Sequence, residues 1–347
     1  MGGRQITEGH RSPTLADVAR RAGVSTATVS RCLNAPDRVI EPTRERVQAA
    51  IRELGYSPNF GARALAARRT MTIGAIIPTM ENAIFARGIQ AFQETLHGLG
   101  YMLLVASSSY SMELEEEQVG ALVARGADGL LLIGQDRDMR VVDFLRRHAV
   151  PAVAAWTYDP EGPLPSVGFD NRAAMRALAA EVIALGHRRL GLISAHTAHN
   201  DRARGRVEGA RDAVRAAGLG AAALTVVETA YGIETGAAAL ARIMAGDRPP
   251  TAVLCGNDVL AVGALIQARR TGIAVPDAVS ITGFDDIDLA SVAVPALTTV
   301  HVPHREMGRR AARMLVEMVE QGAPGEAVEL ATGIRRRESL APPPAEG

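Results

Sequence analysis

Apolar residues in the first 55 positions recur at helical spacing, and no stretch there alternates as a strand would. The first predicted helix covers LADVARRA, in which Leu15, Val18 and Ala19 share one face. Thr14 precedes this helix as its N-cap, and Asp17 three residues later completes the pattern of a capping box.

Two more predicted helices follow in the same segment. Gly23 marks the turn into STATVSRCL, where Ser25 is the N-cap and Val29 and Leu33 lie on one face. The third helix, TRERVQAAIREL, ends at Gly55. This part of the chain is therefore predicted to be all-α.

From residue 71 the pattern changes to short apolar runs that alternate with longer helical stretches. The runs predicted as strands are 72–78, 101–107, 129–134, 151–156, 189–195, 251–256 and 279–285. The predicted helices are 85–98, 113–125, 138–148, 171–185, 203–217, 233–245, 258–271 and 304–321. Such alternation indicates parallel sheets covered on both faces. The units are too many for one open sheet, so we predict two Rossmann-like subdomains, split near residues 168–187.

The chain is thus predicted to have five parts. They are a flexible N-terminus (1–13), a helical head (14–58), a linker (59–70), an α/β core (71–340) and a disordered, Pro-rich tail (341–347). Within the core, the N-terminal subdomain is predicted to take about 71–170 plus 301–328, and the C-terminal subdomain about 171–300 plus 329–340.

Composition agrees with a soluble protein of several domains, since 47% of the 347 residues are hydrophobic and 22% are charged. No apolar run reaches the roughly 18 residues that a membrane helix needs. The first residues, MGGRQITEGHRSP, lack the apolar centre of a signal peptide. Cys32 and Cys255 fit no metal or disulfide spacing. We therefore expect a cytoplasmic protein with reduced thiols and no membrane partner.

Charge is unevenly distributed along the chain. Residues 1–70 hold twelve arginines and six acidic residues, whereas the rest of the chain holds 26 arginines and 32 acidic residues. A basic head on an acidic body is typical of proteins that bind nucleic acid. An imbalance of this size also arises by chance, so charge alone leaves both interpretations open.

Residues 14–34 fit a helix-turn-helix, whose second helix lies in the major groove of DNA. Ala19 and Ala22 are small enough for the two helices to cross, and Gly23 permits the turn. The residues that then face outward are Thr26, Ala27, Thr28, Ser30 and Arg31. Arg31 is suited to guanine, and a short side chain with a methyl group is suited to thymine. The alternative is a solvated helix face with hydroxyl caps.

TLADVARRAGVSTATVSRCLN and TRERVQAAIRELGYSPN closely resemble the head of the lactose-repressor (LacI/GalR) family of bacterial transcriptional regulators. The matching positions are Asp17, Val18, Ala19, Gly23, Val24, Ser25, Thr28, Val29, Ser30, Arg31, Asn34, Leu54, Gly55, Tyr56, Pro58 and Asn59. The DNA-binding residues that the resemblance implies are Thr14, Ser25, Thr26, Ala27, Thr28, Ser30, Arg31, Asn34, Tyr56, Asn59, Ala62 and Leu65.

The same resemblance gives the linker a role. In that family the segment after Tyr-x-Pro-Asn becomes a hinge helix on DNA. Paired hinge helices enter the minor groove, and a leucine is wedged into the central base step. Ala62 and Leu65 occupy the corresponding positions, although the poor helix former Gly61 precedes them.

The core also resembles that family, through motifs such as VGFDN, ALGHRRLGLIS, CGNDVLAVGAL and VSITGFDDID. Such a core is similar to periplasmic sugar-binding proteins, which implies a ligand cleft between two subdomains at the carboxyl ends of their strands. The residues implied to bind an effector are Ile84, Phe85, Trp156, Arg206, Asn257 and Asp285.

Each polar member of that set has a plainer interpretation. Asn257 can cap the helix after it, Asp285 can cap a turn, and Arg206 can be a charge on a helix surface. The lone Trp156 can fill the core. Where the family often has an acid, this chain has HVPHREMG with His304, so the mouth of the cleft is left undefined.

Catalysis on the same scaffold is the main alternative. No GxGxxG follows the first strand, and no P-loop or GxSxG nucleophile elbow occurs. The histidine pairs in HTAH and HVPH lack cysteine or acidic ligands nearby. Asp285 and Asp286 are expected to point apart on an extended strand, which is unsuited to paired acid–base chemistry. We therefore expect no enzymatic activity, no metal and no cofactor.

The sequence thus predicts an all-α helix-turn-helix head plus an α/β core of two Rossmann-like subdomains, similar to periplasmic binding proteins. The resemblance implies a cytoplasmic, nucleoid-associated repressor that binds a near-palindromic double-stranded DNA operator as a homodimer. The expected effector is a small sugar or sugar acid. The alternatives are a co-repressor-dependent regulator that responds to a purine or another metabolite, and a non-regulatory sugar-binding protein.

Overall fold

The chain forms two compact units, Met1–Thr70 and Met71–Gly347. The computed structural model describes residues 13–57, 69–81 and 83–344. The described part of the first unit contains helices only, and the second unit contains two sheets with their covering helices. This architecture confirms the predicted fold class.

Three helices build the first unit. They are α1 (Leu15–Ala22), α2 (Thr26–Asn34) and α3 (Glu41–Leu54), with one turn of 3-10 helix (Pro36–Arg38) before α3. Gly23 and Gly55 follow α1 and α3 with φ of 67° and 61°, left-handed values that suit glycine. α3 begins two residues before its predicted start because Pro42 fits the first helical turn, where an amide donor is not needed.

A small apolar core holds these helices together. Val18, Val29 and Val47, one from each helix, are fully buried. Cys32 packs into the same core as a free thiol. The apolar side of α2 is therefore used for packing, which leaves its other side to short polar residues and Arg31.

Two six-stranded sheets form the centre of the second unit. The first, in the order β11-β5-β4-β3-β1-β2, comprises β1 (Thr72–Ile77), β2 (Met102–Ser107), β3 (Gly129–Ile133), β4 (Ala152–Ala155), β5 (Ser166–Gly168) and β11 (Ala327–Glu329). The second, in the order β12-β10-β9-β8-β6-β7, comprises β6 (Leu190–Ala195), β7 (Leu224–Thr229), β8 (Ala252–Cys255), β9 (Ser280–Asp285), β10 (Thr298–His301) and β12 (Gly333–Arg335). All neighbouring strands are parallel except β10 and β12.

Helices cover both sheets. They are α4 (Ala83–Gly98), α5 (Met112–Ala124), α6 (Met139–Arg147), α7 (Asn171–Ala184), α8 (Asp201–Ala216), α9 (Ile233–Met244), α10 (Asp258–Arg270), α11 (Asp288–Val292) and α12 (His304–Gln321). α4 packs against α12, α7 against α8, and α9 against α10. Among the residues that the structure describes, no helix is both long and apolar enough to cross a membrane.

The chain passes between the two sheets three times. It leaves the first sheet after β5, returns to it through α12 after β10, and leaves it again between β11 and β12. The carboxyl ends of β1, β2 and β4 and those of β6, β8 and β9 supply the loops that carry the polar residues described below. A cleft with parallel strands ending on both sides is where open α/β sheets bind ligands.

Five strands lie outside the predicted runs: β5, β7, β10, β11 and β12. β5, β11 and β12 have only three residues each, too few to show a pattern. β7 (LTVVET) is an edge strand with mixed exposure, and β10 (TTVH) buries threonines instead of aliphatic side chains. No continuous apolar run marks these five strands in the sequence, because each is short, partly exposed or polar.

Candidate functional site

The start of α2 is shaped by its own hydroxyls. Ser25 Oγ accepts a hydrogen bond from the Thr28 amide at 3.1 Å, and the hydroxyls of the two residues lie 2.9 Å apart. This cap satisfies one of the free amides of the first turn. Ser25 and Thr28 therefore fix the helix start, and the remaining amides of that turn keep the character of an anion-binding helix end.

Thr26, Ala27 and Arg31 form the exposed face of α2. The ion pairs among the described residues of the head are Arg20–Asp17, Arg21–Glu53 and Arg44–Glu41. Arg31 belongs to none of them. An arginine without an acidic partner beside two short side chains is suited to reach a base edge in the major groove.

The other predicted DNA-binding residues have different surroundings. Thr14 completes the capping box of α1, since its amide and hydroxyl lie 2.9 and 2.6 Å from the Asp17 carboxylate. Ser30 is half-buried, and Tyr56 packs half-buried against the core of the head. The remaining four fall outside the description in whole or in their side chains: Asn59, Ala62, Leu65 and the side chain of Asn34.

Polar side chains of the second unit converge at the carboxyl ends of its strands. We call the following six buried residues the cleft cluster: Trp156, Asn171, Arg206, Asn257, Asp285 and His304. Trp156 follows β4, Asn257 follows β8 and Asp285 ends β9, while the other three lie on helices. The predicted residues Trp156, Arg206, Asn257 and Asp285 are therefore brought together.

Asn171 connects two members of the cleft cluster and was not predicted. Its Nδ2 donates to the Trp156 carbonyl at 3.0 Å, and its Oδ1 accepts from Arg206 Nε at 2.9 Å. Arg206 also donates from Nη1 to the Gly256 carbonyl, and its guanidinium stands 4.1 Å from the centre of the Phe284 ring. Arg206 is thus held in place by Asn171, a carbonyl and an aromatic face, and it is not a surface charge.

Asp285 is the most unusual residue of the cleft cluster. It is fully buried, and neither carboxylate oxygen accepts a hydrogen bond from any described residue. Burial raises the pKa of Asp285 to about 7, although the nearby Arg206 acts to lower it. An unpaired buried carboxyl is costly and marks a position where a ligand group is expected.

The backbone around Asp285 differs from the prediction. Asp285 and Asp286 have φ of 105° and 56°, so they do not continue an extended strand. Positive φ is strained for side chains other than glycine and concentrates at functional sites. The turn separates the two carboxyls. Asp286 contacts His301 Nδ1 at 2.8 Å and Arg337 Nη2 at 2.6 Å, which keep its pKa low despite burial.

Three further polar atoms of the cleft cluster have no partner among the described residues. They are Trp156 Nε1, Asn257 Nδ2 and His304 Nδ1. Asn257 does cap α10, because its Oδ1 accepts from the Leu260 amide at 2.8 Å, but this leaves its amide nitrogen unused. Both roles considered for Asn257, helix cap and ligand donor, are therefore compatible.

The predicted apolar residues lie next to this polar group. Phe85 packs edge-on against Trp156, with ring centres 5.3 Å apart and planes at 70°. Ile84 is also buried. Trp156 itself has φ of 62° and is 2% exposed, so it combines core packing with an indole N–H directed to no described acceptor.

Asp258 supports the cleft cluster from behind, and sequence reasoning missed it. Its oxygens accept from the Thr299 hydroxyl at 2.6 Å and the Ile287 amide at 2.8 Å. Burial raises the pKa of Asp258 to about 8, and the charge of Asp285 adds to the effect. Asp258 is part of the CGND motif, so its importance could be predicted from the sequence. The sequence does not distinguish a structural role of Asp258 from direct contact with a ligand.

A cavity of about 830 Å³ opens beside the cleft cluster, between loops of both sheets. Its described lining is Thr79, Glu81, Ser109, Tyr110, Ala195, His196, Ala198, Asn200, Thr229, Ala230, Tyr231, Gly232, Ile233, Glu234, Thr235 and Val259. None of the six predicted effector residues is in this lining. Tyr110 and Tyr231 face each other across it with ring centres 5.8 Å apart. Arg206 and Asp285 both act on the pKa of the Tyr110 hydroxyl, so the cavity and the cleft cluster are neighbours.

Polar contacts also join the two subdomains across the cleft. Arg204 donates to both carboxylate oxygens of Asp136 at 2.7 Å. The Gln135 amide donates to Asp201 Oδ2 at 2.9 Å. These contacts link the loop after β3 to α8, so they join the two subdomains. We call the pairs Arg204–Asp136 and Gln135–Asp201 the rim contacts.

Within the described ranges, no group of three or more His, Cys, Asp or Glu side chains is arranged to hold a metal ion. The cleft cluster instead combines donors from Trp156 and Asn257 with an unpaired carboxyl at Asp285. Donors and acceptors of this kind fit a polar organic ligand.

Comparison with protein-family models matches both units of the chain. Residues 14–59 match the lacI family of bacterial regulatory proteins, and residues 179–340 match a periplasmic binding protein-like domain. The HTH-type transcriptional repressor CytR of Escherichia coli strain K12 is 34% identical over 307 residues, covering 88% of this chain and 90% of CytR. The HTH-type transcriptional repressor PurR of Proteus mirabilis is 33% identical over 334 residues, covering 95% and 98%.

A solved structure agrees over nearly the full length. The lac repressor dimer bound to operator and the anti-inducer ONPF superposes with a TM-score of 0.85 at 26% identity, covering 95% of this chain and all of that one.

Proposed function

The chain belongs to the lacI family of bacterial regulatory proteins, whose members are DNA-binding transcriptional regulators and not enzymes, and from this premise we propose how it works. It is a cytoplasmic repressor that binds a near-palindromic operator as a homodimer. A small sugar or sugar acid in the cleft of the core controls its affinity for that operator.

One observation carries the effector part of this proposal. Trp156, Asn257, Asp285 and His304 each bury a polar atom that has no hydrogen-bond partner among the described residues. Buried polar groups are nearly always paired in native proteins, and each unpaired group costs about 1–3 kcal/mol. Four such residues in one cleft are explained by a ligand that pairs with them.

The head supports the operator part. The exposed residues Thr26, Ala27 and Arg31 are positioned to read bases, while the capped start of α2 holds a phosphate. A two-fold dimer presents two such helices to two half-sites, so a near-palindromic operator follows. The predicted wedge residues Ala62 and Leu65 of the hinge complete the proposed DNA contacts.

The cleft connects effector and operator in this proposal. The cleft cluster and the rim contacts combine residues of both subdomains, so a ligand there favours one angle between them. An effector shifts the equilibrium only by its difference in affinity for the two angles. A changed angle alters how the two heads of a dimer meet the two half-sites.

Replacing Asp136 by asparagine is expected to weaken effector binding by about two- to fivefold. The variant loses the charge pair with Arg204, whose side chain is 44% exposed, so the contribution to closure is modest. Isothermal titration of effector into the full-length variant measures the change. Asp143→Asn, on the exposed face of α6, is the matched control and should bind as the unsubstituted protein does. An unchanged effector affinity of the Asp136→Asn variant would show that the ion pair between Arg204 and Asp136 does not contribute to effector binding.

Effector affinity is expected to rise about tenfold between pH 6 and pH 8. The pKa of Asp285 is raised to about 7 in the free protein, so its carboxyl is mostly protonated at pH 6 and mostly ionised at pH 8. Hydroxyls of a ligand donate better to the ionised form. Arg206, Asp258 and His304 are the titratable groups around it. Titrations at both pH values, repeated with Asp285→Asn, test this, and an equal pH dependence in Asp285→Asn would contradict it.

The proposed function is tested by a ligand panel followed by an operator shift. Binding sites are first selected from random duplexes with the full-length protein. Sugars and sugar acids that change the fluorescence of Trp156 are then added to the protein–operator complex. The proposal expects at least one of them to change operator affinity several-fold, and the absence of any sequence-specific DNA binding would refute it.

A further inference from the structure

His304 lies at the first residue of α12 and is 3% exposed. Its Nε2 lies 3.1 Å from the carbonyl oxygen of Asp285, and its ring centre lies 6.2 Å from that of Trp156. It thus contacts the backbone of Asp285 and lies near Trp156, two residues of the cleft cluster whose buried polar atoms have no partner among the described residues. In the sequence, His304 stands out only as a departure from the family pattern at the mouth of the cleft, and no ligand contact is predicted for it.

The contact with Asp285 determines which nitrogen of His304 carries the proton. A carbonyl oxygen only accepts hydrogen bonds, so Nε2 must be the donor. Burial lowers the pKa of His304 to about 4, so the imidazole is neutral at pH 7. In a neutral imidazole with Nε2 protonated, Nδ1 is an acceptor. No described residue donates to that nitrogen.

The cleft cluster therefore has unpaired acceptors on two residues that contact each other: Nδ1 of His304 and the two carboxylate oxygens of Asp285. A ligand that pairs with them must bring several O–H or N–H donors. Trp156 Nε1 and Asn257 Nδ2 provide complementary donors for its acceptor atoms. Alternating donors and acceptors are what adjacent hydroxyl groups supply.

Charge around the cleft cluster disfavours an anion. Arg206 is close enough to Asp285 to act on its pKa, so at pH 8, where Asp285 is mostly ionised, the positive charge of one offsets the negative charge of the other. The neighbouring arginines of α8 already have partners, Arg202 with Asp201 at 2.9 Å and Arg204 with Asp136 at 2.7 Å. The described lining of the adjacent cavity contains two glutamates and no arginine. A carboxylate or phosphate on the ligand would add an uncompensated charge to a buried site.

We propose that His304 is a specificity-determining residue of the effector site: its Nδ1 acceptor beside Asp285 selects an uncharged polyhydroxy ligand over the corresponding sugar acid or sugar phosphate. This inference rests on the proposed effector cleft and narrows its ligand class from sugars and sugar acids to uncharged compounds.

Matched pairs of probes test the ligand class. The pairs are D-glucose with D-gluconate, D-galactose with D-galactonate, D-ribose with ribose 5-phosphate, and uridine with uridine 5′-phosphate, each titrated calorimetrically into the full-length protein. We expect at least one uncharged member to bind at least about tenfold more tightly than its anionic partner. The proposal is overturned by an anion that binds equally well or better, or by a failure of all uncharged members to bind.

Two substitutions separate specificity from mere support of Asp285. His304→Asn keeps an amide oxygen at the position of Nδ1 but loses the reach to the Asp285 carbonyl. His304→Gln keeps that reach through its terminal amide but loses the acceptor at Nδ1. If His304 determines specificity, the His304→Gln variant binds the best uncharged probe at least about tenfold more weakly than the unsubstituted protein does. The His304→Asn variant retains most of the affinity for the same probe. The proposal is overturned if His304→Gln binds this probe as tightly as His304→Asn does, or more tightly.

Measurements of operator binding distinguish a failure of this specificity proposal from a failure of the proposed repressor function. Both His304 variants should show the circular-dichroism spectrum and the cooperative thermal unfolding of the unsubstituted protein, which shows that they fold. An uncharged probe that binds with the expected selectivity, yet leaves operator affinity unchanged, would refute the repressor mechanism and leave the specificity of the cleft intact.

Discussion

Replacing Arg206 by leucine will reduce effector affinity by about a hundredfold or more, because the loss of a buried charged hydrogen-bond donor costs about 3–5 kcal/mol. Arg206 stacks on Phe284 and donates to Asn171 and to the Gly256 carbonyl, so three parts of the cleft cluster depend on it. Its removal also deprives Asp285 of a positive charge that acts to lower its pKa. The measurement is calorimetric titration of the best effector into the full-length variant.

Arg211→Leu is the matched control for this substitution. Arg211 lies on the same helix, α8, but is exposed. The control should keep the affinity of the unsubstituted protein, and both variants should bind operator in the absence of effector. An Arg206→Leu protein that binds effector within about threefold of the original would show that the ligand lies elsewhere, for example wholly in the cavity between Tyr110 and Tyr231.

Replacing Arg31 by alanine will weaken operator binding by about 1–3 kcal/mol for each half-site, so the homodimer loses roughly thirtyfold to ten-thousandfold in operator affinity. Arg31 is exposed on α2 and belongs to none of the ion pairs among the described residues of the head, so it is available to a base. The loss should be much smaller on random DNA of the same length, because base contacts add to the phosphate contacts that all sequences share. Fluorescence anisotropy at one fixed salt concentration measures both affinities.

Arg52→Ala provides a control of equal charge. Arg52 is exposed on α3, so its removal lowers the positive charge of the head without changing α2. The Arg52→Ala variant should bind operator and random DNA slightly more weakly than the unsubstituted protein does, by similar factors. If Arg31→Ala also lowers the affinities for operator and for random DNA by equal factors, Arg31 contacts phosphate. In that case the proposal that Arg31 reads a base is wrong.

The head was predictable from the sequence because its signals are local. The capping box of Thr14 and Asp17, the turn at Gly23 and the N-cap at Ser25 each involve residues at most a few positions apart, and all three features are present in the structure. Burial of Cys32 was not anticipated, since a lone thiol has no pattern of its own. Local rules of helix start and stop were sufficient here.

The core was predictable in class but not in detail. Long apolar strands such as β1 and β3 are buried at every position and were found as runs. β10 was missed because its buried threonines bond to distant partners: Thr299 to Asp258, and Thr298 to residues near the carboxyl end of the chain. Contacts of this kind depend on tertiary structure, which periodicity does not encode.

The cleft shows the same limit. Motif resemblance indicated Arg206, Asn257 and Asp285, and the structure brings them together. It did not indicate Asn171, although this residue connects Arg206 to the Trp156 carbonyl. It also left out Tyr110 and Tyr231, which lie 121 positions apart in the numbering and meet only through the fold. Residues that support or enclose a site are selected by neighbours that the sequence does not reveal.

We propose that occupancy of the cleft controls affinity for the operator. The most direct test is the dissociation constant of the full-length protein for its selected operator, measured by fluorescence anisotropy with and without a saturating effector whose binding is verified by calorimetry. If the cleft and the operator are coupled, operator affinity changes at least several-fold, and reciprocity requires that operator change the effector affinity by the same factor. An operator affinity that is the same with the cleft filled and with no effector added would contradict this proposal.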